Sequence, residues 1–580
     1  MPRDLPTLRD PDRLIYFKEE VGGLVMGGYE PNPIAWGAGD GAADPPEDFA
    51  FSLLDSDWDH FEPTMTEALA RVPALATAGV KQLINGPESF TPDGSFILGE
   101  APELKNFYVG AGFNAFGIAS AGGAGRALAE WIVAGEPPMD LWPVDIRRFG
   151  GPHRDRGFVS TRTLEAYGKH YAVAWPHDEP ESGRPLRVSP LYPRLKAAGA
   201  CFGSKLGWER PNWFAPAGVT PKDAPGFGRP NWFDAVAAEH RAARERVVLF
   251  DQTSFAKFLL VGADAAAALD WICAADTRRP PGAVVYTQLL NRRGGIEADL
   301  TVSRLADDAF YFVTGTGFAT RDFTWIRDAI PAGLDARLID VTSAFAVLAL
   351  MGPRARDVLS AVTDADVSNA AFPFMSWREL IIAGAAVRAL RVTYVGELGW
   401  ELHVPVESAG AVYDALMAAG ARHGLVNAGY RAIESLRLEK GYRAWGADIG
   451  PDHTPLEAGL GFAVKLKTEI DFQGRQALLA QQRAPLRKRL ACFTVDDPTV
   501  VLLGRETILR DGETVGWLGS GGFGHSVGRP IGYGYVRRED GVDADLLRSG
   551  RWELEVAAER VKATLHMAPL YDPKSARVRG

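Results

Sequence analysis

The sequence predicts a multidomain α+β protein. Three observations carry that prediction: the length of the chain, interleaved strand and helix patterns through its middle, and short strands at regular intervals near its end. At 580 residues it exceeds what one hydrophobic core can serve, so roughly three or four domains are expected. Apolar residues make up 46% and charged residues 23%, the balance of an ordinary globular protein rather than a disordered or fibrous one.

At the front, residues 13–30 (RLIYFKEEVGGLVMGGYE) alternate apolar and polar around Gly22-Gly23, which predicts a β-hairpin. A helix is expected over 61–69, starting near Pro63, and short strands at 81–83 and 96–98 should flank the turn-rich NGPESFTPDG. Residues 107–133 (FYVGAGFNAFGIASAGGAGRALAEWIV) read as strand, glycine turn and helix. Glycine lets main chain approach a ligand closely, and a helix beginning near Gly117 points its positive end at a carbonyl or phosphate. A dinucleotide site opens with GxGxxG after a first strand and an acid about twenty positions later. Nothing between Met1 and Gly110 offers that, so the chain is expected to carry the closing piece of a flavin domain without its opening piece.

A proline- and glycine-punctuated stretch, residues 135–151, predicts a boundary. Residues 152–231 are rich in aromatics and carry RPNWF twice, at 210–214 and 229–233. From about 234, strands are expected at 284–290, 298–304, 309–315 and 387–395, and helices at 322–330, 408–423 and 430–440. Short strands at 489–495, 513–518, 531–536 and 552–556 predict a small barrel or sandwich. GSGGFG at 519–524 matches GxGxxG, but no helix follows; it reads as a glycine turn between strands.

The formal charge of −10, from 63 basic and 73 acidic side chains, argues against nucleic acid. The longest strongly apolar run, around 344–351, is too short to span a bilayer, and the first residues lack a hydrophobic signal core. Cys201, Cys273 and Cys492 are far apart, which suits a reducing, cytoplasmic setting and neither a disulfide framework nor a thiolate metal site. The histidines show no ligand spacing, His170 with His177 being the one pair worth weighing, and no metal is expected.

Two acidic motifs are the candidates for a site. GGIEADL at 294–300 delivers Asp299 onto a strand from a glycine turn, and TYVGELGWEL at 393–402 places Glu397 and Glu401 beside another turn. Alternation should put Glu401 and Trp400 on opposite faces. A carboxylate among aromatics suits an amino-pyrimidinone ring, whose adjacent N–H and NH₂ donors match two carboxylate oxygens, while a second carboxylate handles protons. Read from the residues alone, both motifs are better explained as solvated acids at hairpin turns.

The stretch TYVGELGWEL, followed by YRAIESLRLEKGYRAWGADIGPDHTPLEAGL (430–460), with NGPESFTPDG (85–94) and GEPPMDLWPVDIRRFG (135–150) upstream, resembles the dimethylglycine and sarcosine dehydrogenase family over nearly the whole chain. That resemblance implies four parts: residues 1–150, a partial FAD-dependent oxidoreductase domain; 151–233, a connecting domain; 234–475, a folate-binding domain similar to the aminomethyltransferase T-protein of glycine cleavage; and 476–580, a C-terminal β-barrel. It implies that Asp299 assists proton transfer beside the reacting folate nitrogens. Tyr394 and Glu401 would pack on and hydrogen-bond the pterin. Gly112, Phe113, Asn114, Gly117 and Ile118 would approach the isoalloxazine ring of FAD, and the hairpin at 13–30 would line the amine pocket, with Tyr16 and Tyr29 as catalytic candidates.

Two departures from the T-protein pattern, Ile433 in place of an arginine and the shifted asparagine position near residues 314–317, argue against aminomethyl-lipoyl protein as substrate. The implied reaction is oxidation of an N-methyl amine by hydride transfer to FAD, with the one-carbon unit passed to tetrahydrofolate and electrons to a further acceptor. The chain is expected to belong to that activity as a fragment or as the partner of a separate FAD-binding chain. The alternatives are a flavin-free, folate-binding aminomethyltransferase-like protein and an inert truncation.

Overall fold

The computed structural model describes residues 2–37 and 45–580. It divides the chain into two compact units, Met1–Leu186 and Arg187–Gly580.

In the first unit the expected hairpin forms from Ile15–Glu20 and Gly23–Gly28, extended to three strands by Leu8–Asp10. Gly22, at φ +78°, makes the tight turn. Ile15 and Phe17 alternate inward and meet Ala68 of the helix Trp58–Arg71. That helix starts five residues earlier than the proline suggests, because the Asp57 carboxylate caps the His60 amide at 3.0 Å; Pro63 lies inside it. Residues 81–83 form no strand, and Leu54 pairs with Asn85 by a single bridge. Ile97–Glu100 and Tyr108–Ala111 pair as a ribbon, and the helix Gly117–Ala134 follows. Trp131 of that helix is buried against Gly99, where a Cβ would lie 2.6 Å from the indole.

The second unit holds two antiparallel sheets and a barrel. One sheet has the order Val284–Leu290, Ile296–Ala306, Ala309–Thr314, Ala256–Val261, Arg337–Asp340. The other runs Trp377–Ile382, Ala385–Leu390, Gly399–Pro405, Phe345–Met351, Val248–Asp251, with a final parallel strand, Val426–Asn427. The expected strand at 387–395 therefore ends at Leu390, and residues 391–398 turn. Lys488–Val495, Arg529–Arg537, Glu513–Gly524, Thr507–Arg510, Trp552–Val556 and Glu559–His566 close a six-stranded barrel.

GSGGFG is not a turn: all six residues lie within the strand Glu513–Gly524. Its glycines are clearance for neighbouring backbone, since a Cβ on Gly519 would sit 2.2 Å from the Ala447 carbonyl oxygen and one on Gly521 2.7 Å from the Gly504 nitrogen. Nor is RPNWF a structural repeat. The first copy lies in the strand Trp208–Phe214, with Trp213 buried; the second leads into the helix Phe233–Glu245, with the Arg431 guanidinium over Trp232. The aromatic-rich stretch divides between the units at Leu186.

The helix Tyr430–Lys440 is buried nearly all round, as a helix packed on several sides must be. Its charged groups are paired. Arg437 donates to Asp448 at 2.6 Å, Glu439 accepts from Arg244 at 3.0 Å and from the Ser526 amide at 2.6 Å, and Lys440 donates to the Asp572 carbonyl at 2.6 Å and Ser575 at 3.1 Å. Residues 571–580 form a strap that returns across this unit. The Tyr571 hydroxyl donates to Glu397, and Arg356 and Asn369 donate to the Gly580 carbonyl. The three cysteines are free and buried, and no described helix is long and apolar enough to cross a membrane.

Candidate active site

In the second unit, Asp299 projects from Ile296–Ala306 directly across from Gln288, whose Nε2 donates to its Oδ1 at 2.9 Å. Burial lifts the Asp299 pKa to about 6, against the pull of hydrogen bonds from Tyr286 and Gln288 and the charge of Arg443. A carboxyl group poised there can hold or release a proton near neutrality. Tyr394 sits in the turn that follows residue 390, built by Thr393 Oγ1 accepting from the amides of Val395 and Gly396. Gly396 has φ +78°. The Tyr394 hydroxyl donates to the Arg443 carbonyl at 2.8 Å, and its ring stacks 5.8 Å from Tyr442.

Glu401 lies on Gly399–Pro405, across from Ala349. Trp400 beside it points into the core and is fully buried, so the two do take opposite faces. The Glu401 side chain is 14% exposed, with His403 Nε2 at 3.9 Å. Among the described residues no donor hydrogen-bonds its carboxylate, and burial alone raises its pKa to about 7. Its field reaches Tyr311 and Tyr430; Tyr430 bonds Ser254 at 3.2 Å and carries the Arg210 guanidinium over its ring at 4.1 Å. Asp299 couples electrostatically to Tyr394, and Tyr394 and Tyr430 pack against one apolar cluster that includes Phe250, Val395 and Ile433. Asp299 thus lies by Tyr394 and Glu401 by Tyr430, and the two tyrosines share one apolar cluster.

Glu397 is elsewhere: it is buried in an ion pair with Arg244 at 3.1 Å and belongs to the framework. Sequence reasoning missed Gln288, Tyr286, Arg443 and His403. Gln288 and Tyr286 reach Asp299 only through strand pairing, which leaves no local pattern, whereas Tyr430 opened a stretch already noticed.

In the first unit Tyr16 and Tyr29 are half-buried neighbours with ring centroids 6.4 Å apart. His170 stacks on Tyr29 at 4.3 Å, Tyr167 lies at 5.8 Å and Tyr171 meets it edge-on at 4.9 Å. Phe90 packs on Tyr167 at 4.6 Å. Glu88, its pKa raised by burial, is close enough to act on Tyr16, Tyr29 and Tyr167. His170 is therefore a wall of this cage, and no group of metal-binding side chains occurs among the described residues.

The glycine turn preceding Gly117–Ala134 has left-handed backbone at Gly112, Asn114 and Ala115. Asn114 is buried, its Oδ1 accepting from the Thr91 amide at 2.9 Å and its Nδ2 donating to the Gly112 carbonyl at 2.6 Å. A Cβ on Gly112 would strike Thr91 at 2.5 Å. Phe113 stacks on Phe96 at 5.1 Å, while Ile118 is fully exposed. The helix has no side-chain cap at Phe116. A rigid, uncapped helix start of this kind fits the electron-rich edge of an isoalloxazine ring.

Four family models match the chain in succession: FAD dependent oxidoreductase over residues 1–131, its central domain over 134–189, the GCVT N-terminal domain over 191–468 and the glycine cleavage T-protein C-terminal barrel domain over 488–572. The class defined is an FAD-dependent oxidoreductase joined to a T-protein-like folate-binding fold. Sarcosine dehydrogenase, mitochondrial, of Homo sapiens is 42% identical, covering 100% of this chain and 67% of that protein. A 4-methylaminobutanoate oxidase (formaldehyde-forming) of Paenarthrobacter nicotinovorans is 41% identical, covering 100% and 69%. The pyruvate dehydrogenase phosphatase regulatory subunit of Mus musculus is 36% identical over 97% of this chain and 66% of that one. Among solved structures, the aminomethyltransferase T of Bartonella henselae has a TM-score of 0.57 at 27% identity, covering 67% of this chain and 98% of that one. The chain belongs to the sarcosine and dimethylglycine dehydrogenase family.

Proposed function

We propose that this chain takes part in oxidative demethylation of a small N-methyl amine, of the sarcosine or dimethylglycine type, with the one-carbon unit passed to tetrahydrofolate. The observation that carries the amine half is the cage of Tyr16, Tyr29, Tyr167 and His170 beside Glu88. Aromatic faces attract a methylated ammonium through their quadrupoles while tolerating its methyl groups, and the Glu88 carboxylate adds opposite charge. Arg9, which donates to the Tyr171 hydroxyl at 3.1 Å, supplies a cation for a substrate carboxylate.

FAD, when bound, supplies the two-electron acceptor for the hydride. This chain's own contribution is to hold the ring edge with the turn at Gly112, Phe113 and Asn114 and the helix start at Gly117 and Ile118. In the second unit Tyr394 packs the pterin, Glu401 accepts its paired donors, and Asp299 exchanges a proton near the reacting nitrogens. Ile433 is buried in an apolar cluster and offers no group for a lipoyl-protein partner.

We infer a four-part organisation with the boundaries given above. The dinucleotide end of FAD would be held by protein outside these residues, in the same product or a separate chain; the support is the apolar face of Gly117–Ala134, where Ile132 and Val133 are exposed and Cβ atoms on Gly122, Gly123 and Gly125 would meet nothing. Three free cysteines favour a reducing compartment, cytoplasmic or mitochondrial.

The second reading is a flavin-free folate-binding protein, for which the fit of residues 191–468 and 488–572 to the two T-protein models speaks. Titrating the full chain with FAD and then sarcosine or dimethylglycine without oxygen separates the two. Bound flavin that bleaches with amine supports the dehydrogenase. Saturable tetrahydrofolate binding with no flavin uptake, by this chain alone and again with the protein that holds the dinucleotide end, would sink it.

A further inference from the structure

Behind Glu401 lies a buried chain of polar groups that no role described above uses. His403, two residues along the same strand and fully buried, bonds through Nδ1 to the Tyr311 hydroxyl at 2.9 Å, while its Nε2 has no partner and faces Glu401 at 3.9 Å. Arg388 lies over the Tyr311 ring, 4.4 Å from its centroid. A buried ring nitrogen left unbonded forfeits the desolvation cost of that group, and such an orphan calls for an explanation.

The Tyr311 O–H can donate to Nδ1, and in that tautomer the imidazole proton sits on Nε2, aimed at Glu401. Burial first, then the charges of Lys257 and Arg388, hold the ring's pKa well below the ordinary value and keep it neutral. Glu401 itself is the acid on the near side and Tyr311 the phenol on the far side.

We propose that His403 is a positioning residue for the folate site, its Nε2–H donating to the Glu401 carboxylate when ligand draws that group inward. The donation holds Glu401 ionised and leaves two acceptor positions facing the paired donors of a pterin. Without it, a carboxyl buried among tyrosines takes up a proton and loses one of those acceptors. The contact needs a movement of about 1 Å, from 3.9 Å to ordinary hydrogen-bond length. This rests on the reading of Glu401 as the pterin-binding acid.

The test is titration of the full chain with 5-formyltetrahydrofolate, an air-stable probe, across pH 5.5–8.5, with thermal melting as the check on folding. Asparagine mimics Nδ1 and keeps only the Tyr311 bond, whereas glutamine can place its amide nitrogen where Nε2 stands. His403→Asn should weaken binding ~10- to ~100-fold, the span of one hydrogen bond to a charged group, and raise the pH midpoint of binding. His403→Gln should restore most of the affinity and the wild-type midpoint. Tyr311→Phe, which frees the tautomer, should shift the midpoint the same way as asparagine but less. Wild-type affinity and midpoint in His403→Asn, or equal weakness in both histidine variants, overturns the proposal. Glu401→Gln tells this apart from failure of the site itself: if it binds the probe as wild type does, the folate reading of Glu401 falls and the proposal with it.

Discussion

Asp299 and Glu401 are both raised by burial but stand in different company, and that separates their roles. Asp299, at about 6, is already bonded by Gln288 and Tyr286. Asp299→Asn keeps its size and its acceptor oxygen, so tetrahydrofolate affinity should hold while one-carbon transfer falls and free formaldehyde rises; a formaldehyde yield equal to wild type removes the proton-transfer role. Glu401 has no such donors. Its pKa rises from 4.5 to about 7, so the folded state binds the proton more tightly than the unfolded chain. The stability this brings is fully present below about pH 4.5 and is lost as pH rises through 7. Glu401→Gln should therefore make the ligand-free chain about 1–3 kcal/mol more stable at pH 8 than wild type, with little change at pH 4.5. The same substitution should cost about 1.5–3 kcal/mol of folate affinity. Melting curves at the two pH values, set beside folate titrations, check both halves.

Among the elements, the helix Tyr430–Lys440 carries most of the second unit's internal charge pairing. Burial alone would raise Glu439, yet His240 and Arg244 hold it down to about 2. A depressed acid contributes stability that is present above its unfolded value, near 4.5, and lost as pH falls toward 2. Glu439→Gln should cost about 3 kcal/mol or more at pH 7, because Arg244 and His240 lose a buried partner, and the difference from wild type should shrink on acidification. Denaturant unfolding at pH 7 and pH 3 reads it. The contrast with the sequence reading is instructive. SLRLEK, part of the longest motif, proved to be framework, whereas the hairpin, the glycine-turn helix, three strands of one sheet and the barrel were legible from alternation and glycine placement. What was not legible came from pairing across sheets: Gln288 meets Asp299 and His403 meets Tyr311 only because strands far apart in sequence align. The GSGGFG strand misled because glycine required for clearance looks, locally, like glycine required for a turn.

For the whole molecule, the division at Leu186 and the fit of residues 191–468 and 488–572 to two T-protein models mark the second unit as self-sufficient. Residues 187–580 made alone should fold cooperatively and bind tetrahydrofolate as tightly as the full chain; an unfolded product, or loss of binding, would show that the first unit is needed. The strap at 571–580 adds an order in time. Among the described residues, Lys440 finds its oxygen partners only at Asp572 and Ser575, and Glu397 receives a hydroxyl only from Tyr571. These residues leave the ribosome after both sheets and the barrel. Until then a lysine and a glutamate destined for the interior lack these bonds, so the unit cannot lock during synthesis however early its sheets pair. Residues 571–580 act as a latch that closes after both sheets and the barrel have emerged, and a chain stalled before Tyr571 would be left for chaperones and proteases as an assembled but unlatched fold.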